Sequence, residues 1–204
     1  MMIFFRERLA FLAVPKTGTS AIENALGPKA SAIFRDPPGI KHTNARNFEA
    51  KYRNLFERGN LPPLETMAVI REPVDWLGSW FRYRQRPALD RHPNSTADVT
   101  FNEFVAAYLL DDQPPYANVG RQARFVTDQS GDLLINHLFS YHDLAAAIRF
   151  LEQRLEREII LKSVNRSPTK ELALSPELST ELHKACALDF EIYHALQDGP
   201  LSVS

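Results

Sequence analysis

Phe11-Leu12-Ala13-Val14-Pro15-Lys16-Thr17-Gly18-Thr19-Ser20 decides how this chain is read. A continuously apolar run, Leu9–Val14, has the pattern of a strand buried on both faces. It enters a turn that carries one lysine, one glycine and three hydroxyls. Ala21-Ile22-Glu23-Asn24-Ala25-Leu26 follows at once and suits a helix, which the spacing places over Thr19–Leu26. A helix N-terminus leaves backbone N–H groups unpaired and favours negative charge. A strand–turn–helix corner with a lysine therefore predicts a cradle for a phosphate-type anion. The same residues also suit a plain structural corner.

The Walker A nucleotide loop does not fit. It ends in Gly-Lys-Ser/Thr after four spacer residues, whereas here Lys16 precedes Gly18. A second element points to an anion as well. Met67-Ala68-Val69-Ile70 is an apolar run within an expected strand Thr66–Ile70, and it meets Arg71-Glu72-Pro73. Pro73 suits the first turn of a helix over Val74–Tyr83, and Glu72 and Asp75 suit its positive end. Arg71 then stands at a strand tip and Ser79 about two turns along the helix. A guanidinium binds phosphate oxygens bidentately and stays charged.

Pro15-Lys16-Thr17-Gly18-Thr19-Ser20 resembles the 5′-phosphosulfate loop of the sulfotransferases that use 3′-phosphoadenosine 5′-phosphosulfate (PAPS). Arg71 and Ser79 resemble that family's 3′-phosphate element at its spacing. Lys41-His42-Thr43-Asn44-Ala45 and Leu161-Lys162-Ser163-Val164-Asn165-Arg166-Ser167 look like segments of its glycan-type branch, as does the stretch from Ser175-Pro176 through Asp189, Ile192 and Tyr193. The chain is thus similar to a small, bacterial-like member. The resemblance implies a P-loop-NTPase-like three-layer α/β fold and transfer of a sulfuryl group from PAPS to a hydroxyl or amine, a saccharide hydroxyl being favoured. It implies Lys16 at the leaving phosphate, and Thr17, Gly18, Thr19 and Ser20 around the 5′-phosphate. Arg71 and Ser79 would hold the 3′-phosphate, and Ser163 and Arg166 the nucleotide. His42 is the implied base, with His92 and His137 as weaker alternatives. No metal is required, and no metal-ligand cluster stands out. Two other readings stay open: a phosphate-binding module without catalysis, and an ATP-dependent phosphotransferase.

Bulk properties fit this reading. The 204 residues suit one domain, 1–204. With 24 Lys and Arg against 25 Asp and Glu, no global basic field attracts nucleic acid or an anionic membrane, so an anion site has to be local. Cys186 is the only cysteine, which excludes an intrachain disulfide, and its predicted helix makes it a packing residue. Arg6, Glu7 and Arg8 interrupt the first apolar residues before any signal-peptide core, and no run reaches about 20 apolar residues. A cytosolic protein is the expectation.

Alternation of strands and helices predicts a parallel sheet covered on both faces. Ala30–Phe34 and Ile135–Phe139 read as further strands, with Ile159–Ser163 as a late one. Asn44–Glu57, Phe101–Leu110 and Asp143–Leu155 read as helices. A capping box, Thr100 to Glu103, opens the second of these. Ser175-Pro176 opens a last helix. Trp76 and Trp80, four apart, read as a core stripe. Residues 85–99 form a polar, proline-containing excursion. Phe101, Phe104, Tyr108 and Tyr116 suit either an acceptor pocket or packing. Neither the acceptor nor the oligomeric state is legible.

Overall fold

The computed structural model describes residues 1–57, 60–161 and 172–202. Ser163 and Arg166 lie outside them, as do the last two residues of the expected strand Ile159–Ser163, whose residues 159–161 carry no strand. Six strands form one sheet: β1 (Met2–Phe4), β2 (Leu9–Phe11), β3 (Ala32–Ile33), β4 (Glu65–Ile70), β5 (His137–Ser140) and β6 (Leu201–Ser202). Their order is β3-β1-β2-β4-β5-β6. The central strands β2, β4 and β5 run parallel, as alternation with helices predicts. The edges differ from the all-parallel expectation. A tight turn through Arg8, at φ +52°, folds β1 back on β2, and β3 and β6 also pair antiparallel. A short turn permits only antiparallel pairing, because a parallel pair needs a long crossover.

The helices are α1 (Thr19–Leu26), α2 (Pro38–Lys41), α3 (Ala45–Asn47), α4 (Arg53–Phe56), α5 (Pro73–Arg84), α6 (Phe101–Tyr108), α7 (Gln122–Val126), α8 (Leu144–Leu155), α9 (Pro176–Ala185) and α10 (Ala187–Ala195). The expected helix over Asn44–Glu57 is interrupted by a π-helical stretch, Phe48–Tyr52, between α3 and α4. The expected closing helix breaks at Cys186 into α9 and α10. Sequence signals locate several starts: Asn44 accepts from Asn47 N, Thr100 and Glu103 close the capping box, and Ser175 accepts from Leu178 N.

Alternate strand residues supply the two faces of the sheet. Leu9, Phe11, Met67, Val69 and Phe139 pack with Ile22 and Leu26 of α1 and with Ala147 and Leu151 of α8. Ala10, Leu12, Ala68, Ile70 and Leu138 pack on the other side with Phe48, Val126 and Tyr193. Helices therefore cover both faces, which makes three layers. A third cluster joins α5, α6, α9 and α10 through Trp76, Leu77, Phe81, Phe101, Phe104, Tyr108, Leu182, Cys186 and Phe190. Trp76 is thus a core residue, and Phe101, Phe104 and Tyr108 pack rather than line an open pocket. Thr96, fully buried, donates to Phe81 O at 2.8 Å and pins the 85–99 excursion to α5.

Candidate active site

Chain reversal after β2 brings residues 13–18 across the carboxyl ends of the parallel strands, where ligands bind in such sheets. Four successive carbonyls of this turn are each held by a side chain. Ala13 O accepts from His42 Nδ1 at 2.7 Å, and Val14 O from the Thr17 hydroxyl at 2.9 Å. Pro15 O accepts from Trp76 Nε1 at 2.8 Å, and Lys16 O from Arg71 Nη1 at 3.4 Å. The carbonyls are thereby engaged away from the turn's donors. Among the described residues, the backbone N–H groups of Thr17, Gly18, Thr19 and Ser20 have no partner. Consecutive free N–H groups at a helix start form an anion cradle.

Both Lys16 and Gly18 adopt the left-handed region, at φ +68° and φ +75°. Gly18 is needed there twice over, since a Cβ on it would stand 3.0 Å from Tyr141 Cε2. Thr17 is fully buried with its hydroxyl proton committed to Val14 O, so its backbone N–H is what it offers a ligand. Thr19 is buried and Ser20 exposed.

Lys16 Nζ lies 4.0 Å from the ring centroid of Tyr83 and 5.7 Å from that of Trp80. Burial, reinforced by the charges of Arg86, Arg71 and Arg82, pushes its ammonium down to about 8. Trp80 is half-buried, and its Nε1 is enclosed without a partner. It packs against the core cluster, as the stripe reading expects, with its ring also beside Lys16.

Arg71 follows β4 directly, and its backbone is clamped. Its N–H donates to Gln122 Oε1 at 2.8 Å, and Gln122 Nε2 donates back to Arg71 O at 2.7 Å. Gln122, itself buried, opens α7, whose Ala123 N–H is held by Asp189 Oδ1 at 3.0 Å. The Arg71 guanidinium lies 4.4 Å from the Tyr141 ring centroid and donates through Nε to Asp75. Glu72 caps α5 by accepting from Asp75 N at 2.7 Å. Asp75, Ser79 and Arg82 share one face of α5 by their spacing, and Arg82 Nη2 lies 3.6 Å from Asp75 Oδ1. Ser79 is half-buried there.

His42 is half-buried, and burial holds its imidazole below the usual histidine value despite the opposing hydrogen bond to Ala13. Donating Nδ1–H to Ala13 O places the proton on Nδ1 and leaves Nε2 as an acceptor, the tautomer a general base needs. The alternatives lie elsewhere. His92 accepts from Asn94 N in the exposed excursion. His137 begins β5 and pairs with Glu65 at 2.7 Å.

The structure thus brings Lys16, Thr17, Gly18, Thr19, His42 and Arg71 around one turn, with Ser79 one helical face away. It adds Tyr83, Arg82, Gln122, Tyr141 and His142, none of which stands out from composition. Tyr141 and His142 follow β5 directly, and the rule that ligands sit beyond strand ends is the signal that would have found them.

No individually curated protein gives a significant match. The family model described as "Sulfotransferase family" matches residues 1–194, nearly the whole length and both strand-end elements of the site. By that match the chain belongs to the sulfotransferase family.

Proposed function

We propose that this protein transfers a sulfuryl group from PAPS to an acceptor hydroxyl, a saccharide hydroxyl being favoured by the glycan-type resemblance. The observation that carries the reading is the turn at residues 13–18. Its carbonyls are tied to His42, Thr17, Trp76 and Arg71, while four adjacent N–H groups stay free beside a lysine.

In this reading the N–H groups of residues 17–20 hold the 5′-phosphate, and Arg71 with Ser79 holds the 3′-phosphate. His42 Nε2 accepts the proton of the acceptor hydroxyl as its oxygen bonds to sulfur. The sulfur–oxygen bond to the phosphate breaks, and the electron pair leaves with the phosphate. Lys16 and the cradle donors meet that growing charge, so they stabilise the transition state more than the ground state. A lysine poised near 8 is still largely protonated at neutral pH, and a half-buried imidazole held low is neutral there. Both groups are in the states the step requires.

Calorimetric titration with PAP, the desulfated product nucleotide, against ATP with magnesium tests the reading. PAP should bind and ATP–magnesium should not compete, and Arg71→Ala should weaken PAP by about 1.5–3 kcal/mol, the value of a charged hydrogen-bond partner. Preference for ATP–magnesium would overturn it in favour of phosphotransfer. Tight PAP binding with no sulfuryl transfer to any acceptor would favour a non-catalytic binding module.

A further inference from the structure

Arg71 is linked to a chain of side chains that sulfuryl transfer itself does not employ. Asp75, which receives the Arg71 Nε–H, also faces His142, whose Nε2 lies 3.5 Å from Asp75 Oδ2. The other imidazole nitrogen, Nδ1, lies 2.9 Å from the Tyr193 hydroxyl. The two rings stand nearly perpendicular, at 71° and 6.1 Å between centroids. Arg71 follows β4, Asp75 lies on α5, His142 follows β5, and Tyr193 lies on α10. Side chains from α5, the end of β5 and α10 thus form one relay that ends on the Arg71 guanidinium.

We propose that His142 and Tyr193 are positioning residues that act through Asp75 to aim Arg71 at the 3′-phosphate. This rests on the PAPS reading above. Arg71 gives its Nε–H to Asp75 and one Nη1–H to Lys16 O, which leaves Nη2 and the second Nη1–H for phosphate oxygens. A bound 3′-phosphate then brings a second anion against the carboxylate that already shares this arginine. Arg82 Nη2 approaches Oδ1 of Asp75, and His142 Nε2 approaches Oδ2. His142 accepts from the Tyr193 O–H at Nδ1 and presents Nε2–H to Asp75, so α10 and the end of β5 fix the carboxylate that holds Arg71.

The groups packed on His142 are Asp75 from α5, Tyr193 from α10 and the Tyr141 ring beside it. Asp143, next in the chain, accepts instead from Ala146 N at 3.1 Å.

The test titrates the protein with PAP and with adenosine 5′-phosphate, which lacks the 3′-phosphate. The wild-type protein, His142→Gln and Tyr193→Phe are compared. His142→Gln should lose about tenfold in PAP affinity, the order expected for a partner in a charged hydrogen-bond chain, and leave adenosine 5′-phosphate binding unchanged. Tyr193→Phe should show the same pattern at reduced size. It removes a single hydroxyl and carries the test if His142→Gln does not fold. Wild-type PAP affinity in the variants, or an equal loss for both nucleotides, would overturn the positioning role. Absence of PAP binding by the wild-type protein would instead overturn the PAPS reading.

Discussion

Gly18→Ala probes the cradle at its tightest point. The backbone there is left-handed, at φ +75°, which costs an L-residue about 1–2 kcal/mol. The new Cβ would also stand 3.0 Å from Tyr141 Cε2 and 3.6 Å from Cδ2. The ring has little room to retreat. The Arg71 guanidinium lies 4.4 Å from its centroid, and its own N–H is bonded to Ile70 O at 2.7 Å. Forcing a packed ring aside by a few tenths of an ångström adds on the order of 1 kcal/mol. The expected loss is therefore about 2–3 kcal/mol. For a chain of this size it lowers the melting midpoint by roughly 4–12 °C. Urea unfolding followed by tryptophan fluorescence reads the loss directly. Repeating it in a Tyr141→Ala background should remove the contact and leave about 1–2 kcal/mol for the backbone. A Gly18→Ala protein with the wild-type midpoint would refute both the strained turn and the packing of Tyr141 beneath it.

Two further outcomes follow from the ionisations at the site. The kcat/KM profile should be bell-shaped. Its acid limb, below the ordinary histidine value, falls as His42 gains a proton, and its alkaline limb falls as Lys16 loses one near 8. Lys16→Arg should slow turnover and move the alkaline limb out of range, and an unmoved limb would show that another group sets it. Lys16→Met should abolish turnover yet raise the melting midpoint at neutral pH. A lysine whose folded value lies below its unfolded one destabilises the fold at neutral pH, and stability recovers as pH rises from about 8 towards the free-lysine value. A lower midpoint in Lys16→Met would contradict that sign.

Where the controlling interactions are local, the sequence is readable. The strand–turn–helix from Leu9 to Leu26, the capping box at Thr100 and Glu103, and the Glu72 cap of α5 each depend on residues within four positions of one another. Where they are not local, the pattern misleads or is silent. Met2–Phe4 forms an antiparallel strand because a turn without glycine or asparagine, Phe5-Arg6-Glu7-Arg8, folds it back on β2. The usual hairpin signal is absent from that turn. Phe48, Tyr52, Leu55 and Phe56 have helical spacing, and that spacing does not distinguish the π-helical stretch from the α-helix on either side.

The candidate site divides along the same line, and the division explains how it works. Lys16 and Gly18 are visible in the sequence because their left-handed conformations lie within one turn. What makes that turn a cradle is supplied from elsewhere: His42 from the segment after α2, Trp76 from α5, and Arg71 from the end of β4 each take one of its carbonyls. Arg71 is in turn held by Gln122 of α7, which bonds its backbone, and by Asp75 of α5, which takes its side chain. A buried amide making two hydrogen bonds to one residue's backbone fixes a strand tip more firmly than neighbouring turns do, because leaving either bond unmade costs about 1–3 kcal/mol. The groups proposed to bind the anion are therefore held in place by the tertiary fold, and pre-organised donors stabilise developing charge better than donors that must first be ordered. The three-layer packing that brings α5, α7 and the end of β5 against the turn gives these residues a fixed direction.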